Sequence, residues 1–212
     1  LLLTQEWYDR LFTEKELRPP PTAKVFLGEK KLLETIVGFS LHQGIMAVAR
    51  MPEERAIDRV MVDLPKPVLL VALDGLVNAE NVGAVVRNCA AFGVSAMIVG
   101  ETSSSPYLRR AVRNSMGTVF RMPVVHSSDL AESLSELHKN HNVLVIGAHP
   151  HERTRMEDVN MAEGICLVFG NEGGGISGRV LERCDKQIAI PMMNGTDSLN
   201  VASASAVFLY EA

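Results

Sequence analysis

The stretch Val168-Phe169-Gly170-Asn171-Glu172-Gly173-Gly174-Gly175-Ile176-Ser177-Gly178 puts Gly173, Gly175 and Gly178 at G-x-G-x-x-G spacing, directly behind the apolar run Ile165 to Phe169. In a dinucleotide-binding fold that spacing turns the chain off a strand and aims backbone N–H groups at a pyrophosphate. A second strand about 20 residues on then ends in an acidic residue for the ribose. Here Gly170-Asn171-Glu172 intervenes, the next strand Ile188-Ala189-Ile190 runs into Pro191-Met192, and little chain remains for a second half-fold. Glu172 would repel a pyrophosphate, and a glycine loop carrying a carboxylate suits a cation or a hydroxyl-bearing ligand better.

Two other segments carry more polar and small residues than a connection needs. In 78 to 93, Val82, Val85, Val86, Cys89 and Phe92 form one apolar helical stripe. Arg87 points about 165° from the centre of that stripe, with Asn81 and Asn88 to the side. Arg87 therefore does not pack in its own helix's core, whether it is a solvated or a working arginine. In 190 to 210, Asp197-Ser198 is placed to cap the following helix. Ala202, Ala204 and Ala206, with Ser203 and Ser205, make that helix thin on several sides and permit close approach to another element.

The elements that must position these segments follow from hydrophobic periodicity. Strands are predicted near 68–73, 96–99, 119–125, 143–147, 165–169 and 187–190, and helices near 81–92, 106–115, 128–140, 177–184 and 199–210. Such alternation gives an α/β fold with a mainly parallel sheet flanked by helices. Residues 1–52 read as a small α/β domain, with Pro19-Pro20-Pro21, a helix near 30–37 and a strand at 44–49. Residues 53–67, charged and helical in pattern up to Asp63 and broken by Pro65-Lys66-Pro67, read as a linker, and 68–212 as the main domain. The chain opens on Leu1 among apolar residues, as though already inside a domain whose beginning is missing.

Composition narrows the classes. With 212 residues, 47% of them apolar, the chain can bury one good-sized core and a smaller one. No run approaches the roughly 18 apolar residues of a membrane span and no signal peptide is visible, which places the protein in the cytoplasm without a membrane. Cys89, Cys166 and Cys184 lack C-x-x-C spacing and read as reduced, buried thiols. His138/His141 and His149/His151 flank a strand without further ligand partners, so no metal is expected. A net charge of −4 gives no overall basic footprint, yet Arg109, Arg110, Arg113 and Arg121 lie close together, with Arg87 upstream. They are a solvated helix face or a local basic patch.

Together the three segments resemble the SpoU, or TrmH-like, RNA ribose methyltransferases of the SPOUT superfamily. Motif one is matched by Asn81-x-Gly83-Ala84-x-x-Arg87 with Ala91-Phe92-Gly93. Phe169-Gly170-Asn171-Glu172-Gly173-x-Gly175-Ile176-Ser177 matches motif two, and Ile190-Pro191-Met192 with Ser198-Leu199-Asn200-Val201 matches motif three. Asn171 stands where the motif varies, and Ala202-Ser203 replaces a more usual Ser-Val or Ala-Val. Ile36-Val37-Gly38-Phe39-x-x-His42-Gln43-Gly44 is similar to the end of the small RNA substrate-binding domain that many members carry. The resemblance implies a C-terminal trefoil knot, S-adenosylmethionine bound between the knotted loops, an RNA substrate with rRNA favoured over tRNA, and a homodimer completed by the partner's motif-one arginine. It makes Gly170, Ile190 and Leu199 main-chain contacts to the cofactor, with Ala148 and Met192 nearby. Arg87 becomes the central catalytic group, and Asn81, Glu172, Ser198 and Asn200 supply the surrounding hydrogen bonds. Because a guanidinium stays protonated, Arg87 is better suited to fixing an RNA phosphate and stabilising a developing alkoxide than to acting as base. Two other classes remain: an NAD-dependent oxidoreductase, and a knotted RNA-binding protein without catalysis, against which the intact polar set argues.

Overall fold

The computed structural model describes every residue except 151, 153, 157, 158 and 160–163. The chain divides into two units, Leu1–Pro52 and Glu53–Ala212. The first has three two-residue strands, β1 (Leu2–Leu3), β2 (Phe26–Leu27) and β3 (Ile45–Met46), and the short helices α1 (Gln5–Tyr8) and α2 (Lys30–Val37). Its strand order is β2-β1-β3, parallel on one side of β1 and antiparallel on the other. Helix α2 ends where Gly38 takes the left-handed conformation, φ 75°. The strand expected over 44–49 keeps only two residues, which leaves Val48 in solvent.

The second unit runs α3 (Ile57–Asp63), β4 (Leu69–Leu73), α4 (Ala79–Ala91), β5 (Ala96–Val99), α5 (Arg109–Asn114) and β6 (Val124–His126). It continues with α6 (Leu130–His141), β7 (Leu144–Ala148), β8 (Ile165–Phe169), α7 (Gly178–Leu181), β9 (Lys186–Ile188) and α8 (Val201–Glu211). Strands β4, β5 and β8 are apolar at every position, as a strand covered on both faces must be. They form the middle of a six-stranded sheet of order β6-β5-β4-β8-β7-β9, every pairing parallel. The period of two divides their side chains between two cores. Val71, Leu73, Met97, Val99, Leu167 and Phe169 face one side, with Val82, Val85, Val86 and Cys89 of α4 and Phe208 and Leu209 of α8. Leu70, Ala72, Ile98, Cys166 and Val168 face the other, with Leu130, Leu134 and Leu137 of α6 and Val180 of α7. The mainly parallel, helix-flanked sheet read from periodicity is thus the fold observed.

Two boundaries differ from expectation. The stretch 53–67 is not a bare linker: Ile57, Val60 and Met61 of α3 are buried in the second core. Burial of each such side chain contributes about 1.5–3 kcal/mol, which attaches this helix to the sheet. The strand expected over 119–125 starts only at Val124. Met116 and Gly117 both take left-handed backbone, φ 53° and 77°, and the chain then makes a tight 3₁₀ turn over Thr118–Arg121 before Pro123. One further feature prepares the site. From β9, on the outer edge of the sheet, the chain returns to lay α8 against α4.

Candidate active site

Parallel strands deliver all their C-terminal ends to one edge of a sheet, and loops from several strands meet there. At that edge the chain encloses a cavity of about 570 Å³, within the range of small-molecule sites. Ala148, Gly170, Ile190, Met192 and Leu199, the five expected cofactor residues, all line it, as do Glu172, Ser198 and Asn200. Phe169 and Phe208 stand at its apolar wall, ring centroids 6.0 Å apart. Its lining holds two carboxylates, Glu172 and Asp197, and among the described residues no lysine or arginine. Such a surface disfavours a pyrophosphate and favours a ligand with cationic character.

The glycine loop behind β8 is built by close backbone approach. A side chain at Gly170 would overlap the main chain of Gly175 and Ile176. Asn171 and Gly175 exchange two backbone hydrogen bonds, both 2.9 Å, closing the loop, and Gly175 supplies the left-handed turn at φ +69°. Gly170 and Gly175 therefore serve a self-closed turn, in which the Gly173 and Gly174 N–H groups are taken by the Asn171 side chain.

Asn81 joins the three motifs. It sits in the first turn of α4, which Asn78 caps by accepting from the N–H groups of Glu80 (2.8 Å) and Asn81 (3.3 Å). Its Nδ2 donates to Glu172 Oε1 at 3.0 Å, while its Oδ1 accepts from Asn200 Nδ2 at 3.2 Å. Asn200 Oδ1 in turn accepts from the Ala202 N–H at 2.9 Å. This corrects the cap expected at Asp197-Ser198. The chain stays non-helical through Asn200, so the residue immediately before Val201 holds the free N–H.

Arg87 is not brought into this cavity. It is exposed and absent from the lining, and it lies six residues beyond Asn81, about 9 Å further along the helix. The next residue shows how its helix is held. Asn88 Nδ2 donates to the Ala202 carbonyl (2.7 Å) and to Ser205 Oγ (2.9 Å), and Ser205 Oγ donates to the same carbonyl (2.8 Å). The small residues of α8 allow this close pairing. Gly83 does the same on another side of α4, where a side chain would strike the Ala111 carbonyl of α5.

Sequence reasoning gave no role to Asn171 or Asp74. The Asn171 side chain bonds both inside its loop and to Gly75, and Asp74 Oδ2 accepts from the Ser177 N–H at 2.6 Å. A carboxylate directly behind an apolar strand was the one available signal for Asp74. The thiols take no part in the cavity: burial pushes Cys89 and Cys166 far up and Cys184 up to about 12. Among the described residues no group of three His, Cys, Asp or Glu side chains could hold a metal, and no helix is long and apolar enough to cross a membrane. His149 lines the cavity, while His151 lies outside the described residues.

Comparison with known proteins fits this geometry. The model of the SpoU rRNA Methylase family matches residues 68–210. The 23S rRNA (guanosine-2'-O-)-methyltransferase RlmB of Pasteurella multocida is 35% identical over 174 residues, 81% of this chain and 71% of that protein. An uncharacterized tRNA/rRNA methyltransferase of Mycobacterium bovis is 32% identical over 193 residues, 89% of this chain and 66% of its relative. The chain therefore spans about two thirds of the length of these proteins. Among solved structures, the SpoU methyltransferase AviRb of Streptomyces viridochromogenes superposes with a TM-score of 0.81 at 24% identity, covering 100% of this chain and 80% of that one. AviRb has also been solved in complex with the cofactor AdoMet. The family match contains all three motif segments that meet at the cavity edge, and the chain belongs to the SpoU rRNA methylase family.

Proposed function

We propose that this chain transfers a methyl group from S-adenosylmethionine to a ribose 2′-hydroxyl of RNA, with rRNA as the substrate and the cytoplasm as its place of action. The observation that carries the proposal is the cavity itself: a glycine loop, apolar walls and two carboxylates, with no lysine or arginine among the described lining residues. That lining fits an adenosine bearing a sulfonium, whereas an NAD pyrophosphate would meet the Glu172 carboxylate. The 23S rRNA substrate of RlmB supports the choice of substrate.

In this reading the backbone at Gly170, Ile190 and Leu199 holds the cofactor, with Ala148 and Met192 against it. S-adenosylmethionine supplies, when bound, an activated methyl group on sulfur. With the cofactor in place the ribose 2′-oxygen would accept that methyl group, and its proton would pass to solvent water at the polar rim. Alignment of oxygen, carbon and sulfur is the main task of the protein. Asn81 orients the Glu172 carboxylate, and Ser198 and Asn200 complete the polar rim. Arg87 grips an RNA phosphate beside the target ribose and stabilises the negative charge growing on its oxygen, as a permanently charged, planar group can.

Arg87 lies outside its own chain's cavity, which supports a homodimer in which it completes the partner's site. Exposed apolar residues on the same two helices suit such an interface: Val207 (41% exposed) and Tyr210 (75%) on α8, with Phe92 (38%) at the end of α4, its ring 6.3 Å from that of Tyr210. The return of the chain from β9 to α4 is where the family's trefoil knot belongs. Residues 1–52 serve as part of an RNA substrate-binding domain, and 68–212 with helix α3 as the catalytic unit.

The test has two arms. S-adenosylmethionine, and not NAD, should raise the melting temperature, and labelled S-adenosylmethionine should mark the 2′-oxygen of unmodified rRNA in preference to tRNA. Cofactor binding without methyl transfer to either RNA would replace this reading with that of a non-catalytic RNA-binding protein.

A further inference from the structure

The side-chain amide of Asn171 uses both ends. Its Oδ1 accepts from the N–H groups of Gly173 and Gly174, each at 2.9 Å, which shapes the glycine loop from within. Its Nδ2 donates to the Gly75 carbonyl at 2.7 Å, across a sequence separation of 96 residues. The amide has only one workable orientation. Turning it over would set an NH₂ against two N–H donors and an oxygen against a carbonyl.

These ends serve different neighbours. Gly173 and Gly174 line the cavity. Gly75 belongs instead to the turn that leads from β4 to the Asn78 cap and Asn81 of α4. A second bond, from the Ser177 N–H to Asp74 Oδ2 at 2.6 Å, ties the far end of the loop to the same turn. The loop carrying Glu172 is thereby held in register with the helix carrying Asn81, and the 3.0 Å bond between those two residues depends on that register.

We infer that Asn171 is a positioning residue with two separable effects: its oxygen end shapes the loop that receives the cofactor, and its nitrogen end registers Glu172 against Asn81 for methyl transfer. The inference rests on the function proposed above. Asn171 is within the glycine-loop motif and lines the cavity, and its side-chain amide, spent on Gly75, Gly173 and Gly174, acts through those neighbours.

The two ends can be separated by substitution in the full chain. Asn171→Asp keeps an acceptor for Gly173 and Gly174 but removes the donor to Gly75. It should lower the single-turnover methylation rate about tenfold or more while leaving S-adenosylmethionine affinity within about threefold. Asn171→Ala removes both ends and should weaken cofactor binding about tenfold as well. Amide hydrogen exchange supplies a readout independent of activity. Gly173 and Gly174 should exchange faster in Asn171→Ala and stay protected in Asn171→Asp, with strands β4 and β8 unchanged in both. Parallel losses of rate and affinity in the two variants, or exchange raised throughout the sheet, would reduce Asn171 to a general stability residue and overturn the inference. A wild-type chain that binds no cofactor and transfers no methyl group would instead overturn the proposed function, and with it the catalytic part of this role.

Discussion

Replacement of Gly170 by alanine adds one methyl group at a point where the backbone leaves no room for it. The new carbon would overlap the main chain of Gly175 and Ile176, and main chain cannot rotate away as a side-chain tip can. Relief requires the 175–177 segment to move outward. That movement breaks the two 2.9 Å bonds between Asn171 and Gly175 and loosens the 2.6 Å bond from Ser177 to Asp74. At about 1 kcal/mol net for each bond the cost is about 3 kcal/mol. A domain of ordinary stability, about 5–15 kcal/mol, remains folded. Its melting temperature should fall by about 6–12 °C, at 2–4 °C per kcal/mol for a chain of this size. If S-adenosylmethionine binds only the undisplaced loop, the same cost raises its Kd about 100-fold. Thermal melting and calorimetric titration of Gly170→Ala against the parent chain read both numbers. A variant that melts and binds like the parent would refute the close packing on which the argument for this loop depends.

Other outcomes follow from the same geometry. Arg87→Ala should abolish methyl transfer and leave cofactor affinity nearly unchanged, since Arg87 lies outside the cavity; Arg87→Lys should rescue little, because an ammonium lacks the two-pronged grip on phosphate. Val207→Lys should shift the protein toward monomer in analytical ultracentrifugation, and a wild-type monomer at micromolar concentration would remove the shared-site picture. A chain trimmed to 53–212 should still bind S-adenosylmethionine, whereas one starting at 68 should melt lower because it lacks Ile57, Val60 and Met61. Burial raises all three thiol pKa values above the ordinary 9.0. Their neutral forms therefore contribute stability that is fully present below about pH 9 and is lost as pH rises beyond it. Native-state alkylation at pH 8.5 should be slow for all three thiols and become fast on unfolding.

The sheet was legible because β4, β5 and β8 are too apolar to be anything but covered on both faces. The site was legible where residue type alone limits the role: Glu172 in a glycine loop, or Arg87 opposite its helix's apolar stripe. Relations between distant residues were not. Nothing in local sequence says that Asn171 reaches Gly75 or that Asn88 reaches Ser205, because those bonds exist only once the strands are in order. Asn200 was missed as a cap for a more local reason. Asp197 and Ser198 are equally good cap residues, and the choice depends on where the turn after Ile190 releases the chain. The stretch 53–67 misled through composition: its charged face is conspicuous, and the three core residues of α3 are few.

The bonds that close the site span long stretches of chain: 91 residues from Asn81 to Glu172, 117 from Asn88 to Ser205 and 119 from Asn81 to Asn200. All six strands of the sheet are complete at Ile188, yet the cavity still lacks Ile190, Met192, Ser198, Leu199 and Asn200. During synthesis, at about 5–20 residues per second, the scaffold is therefore finished before the catalyst is. On the proposed reading, a chain released between these points would carry a full set of strands and only part of its cofactor pocket. Val201, Ala204 and Phe208 of the same lining come later still, so the proposed cofactor pocket is completed only by the last helix of the chain.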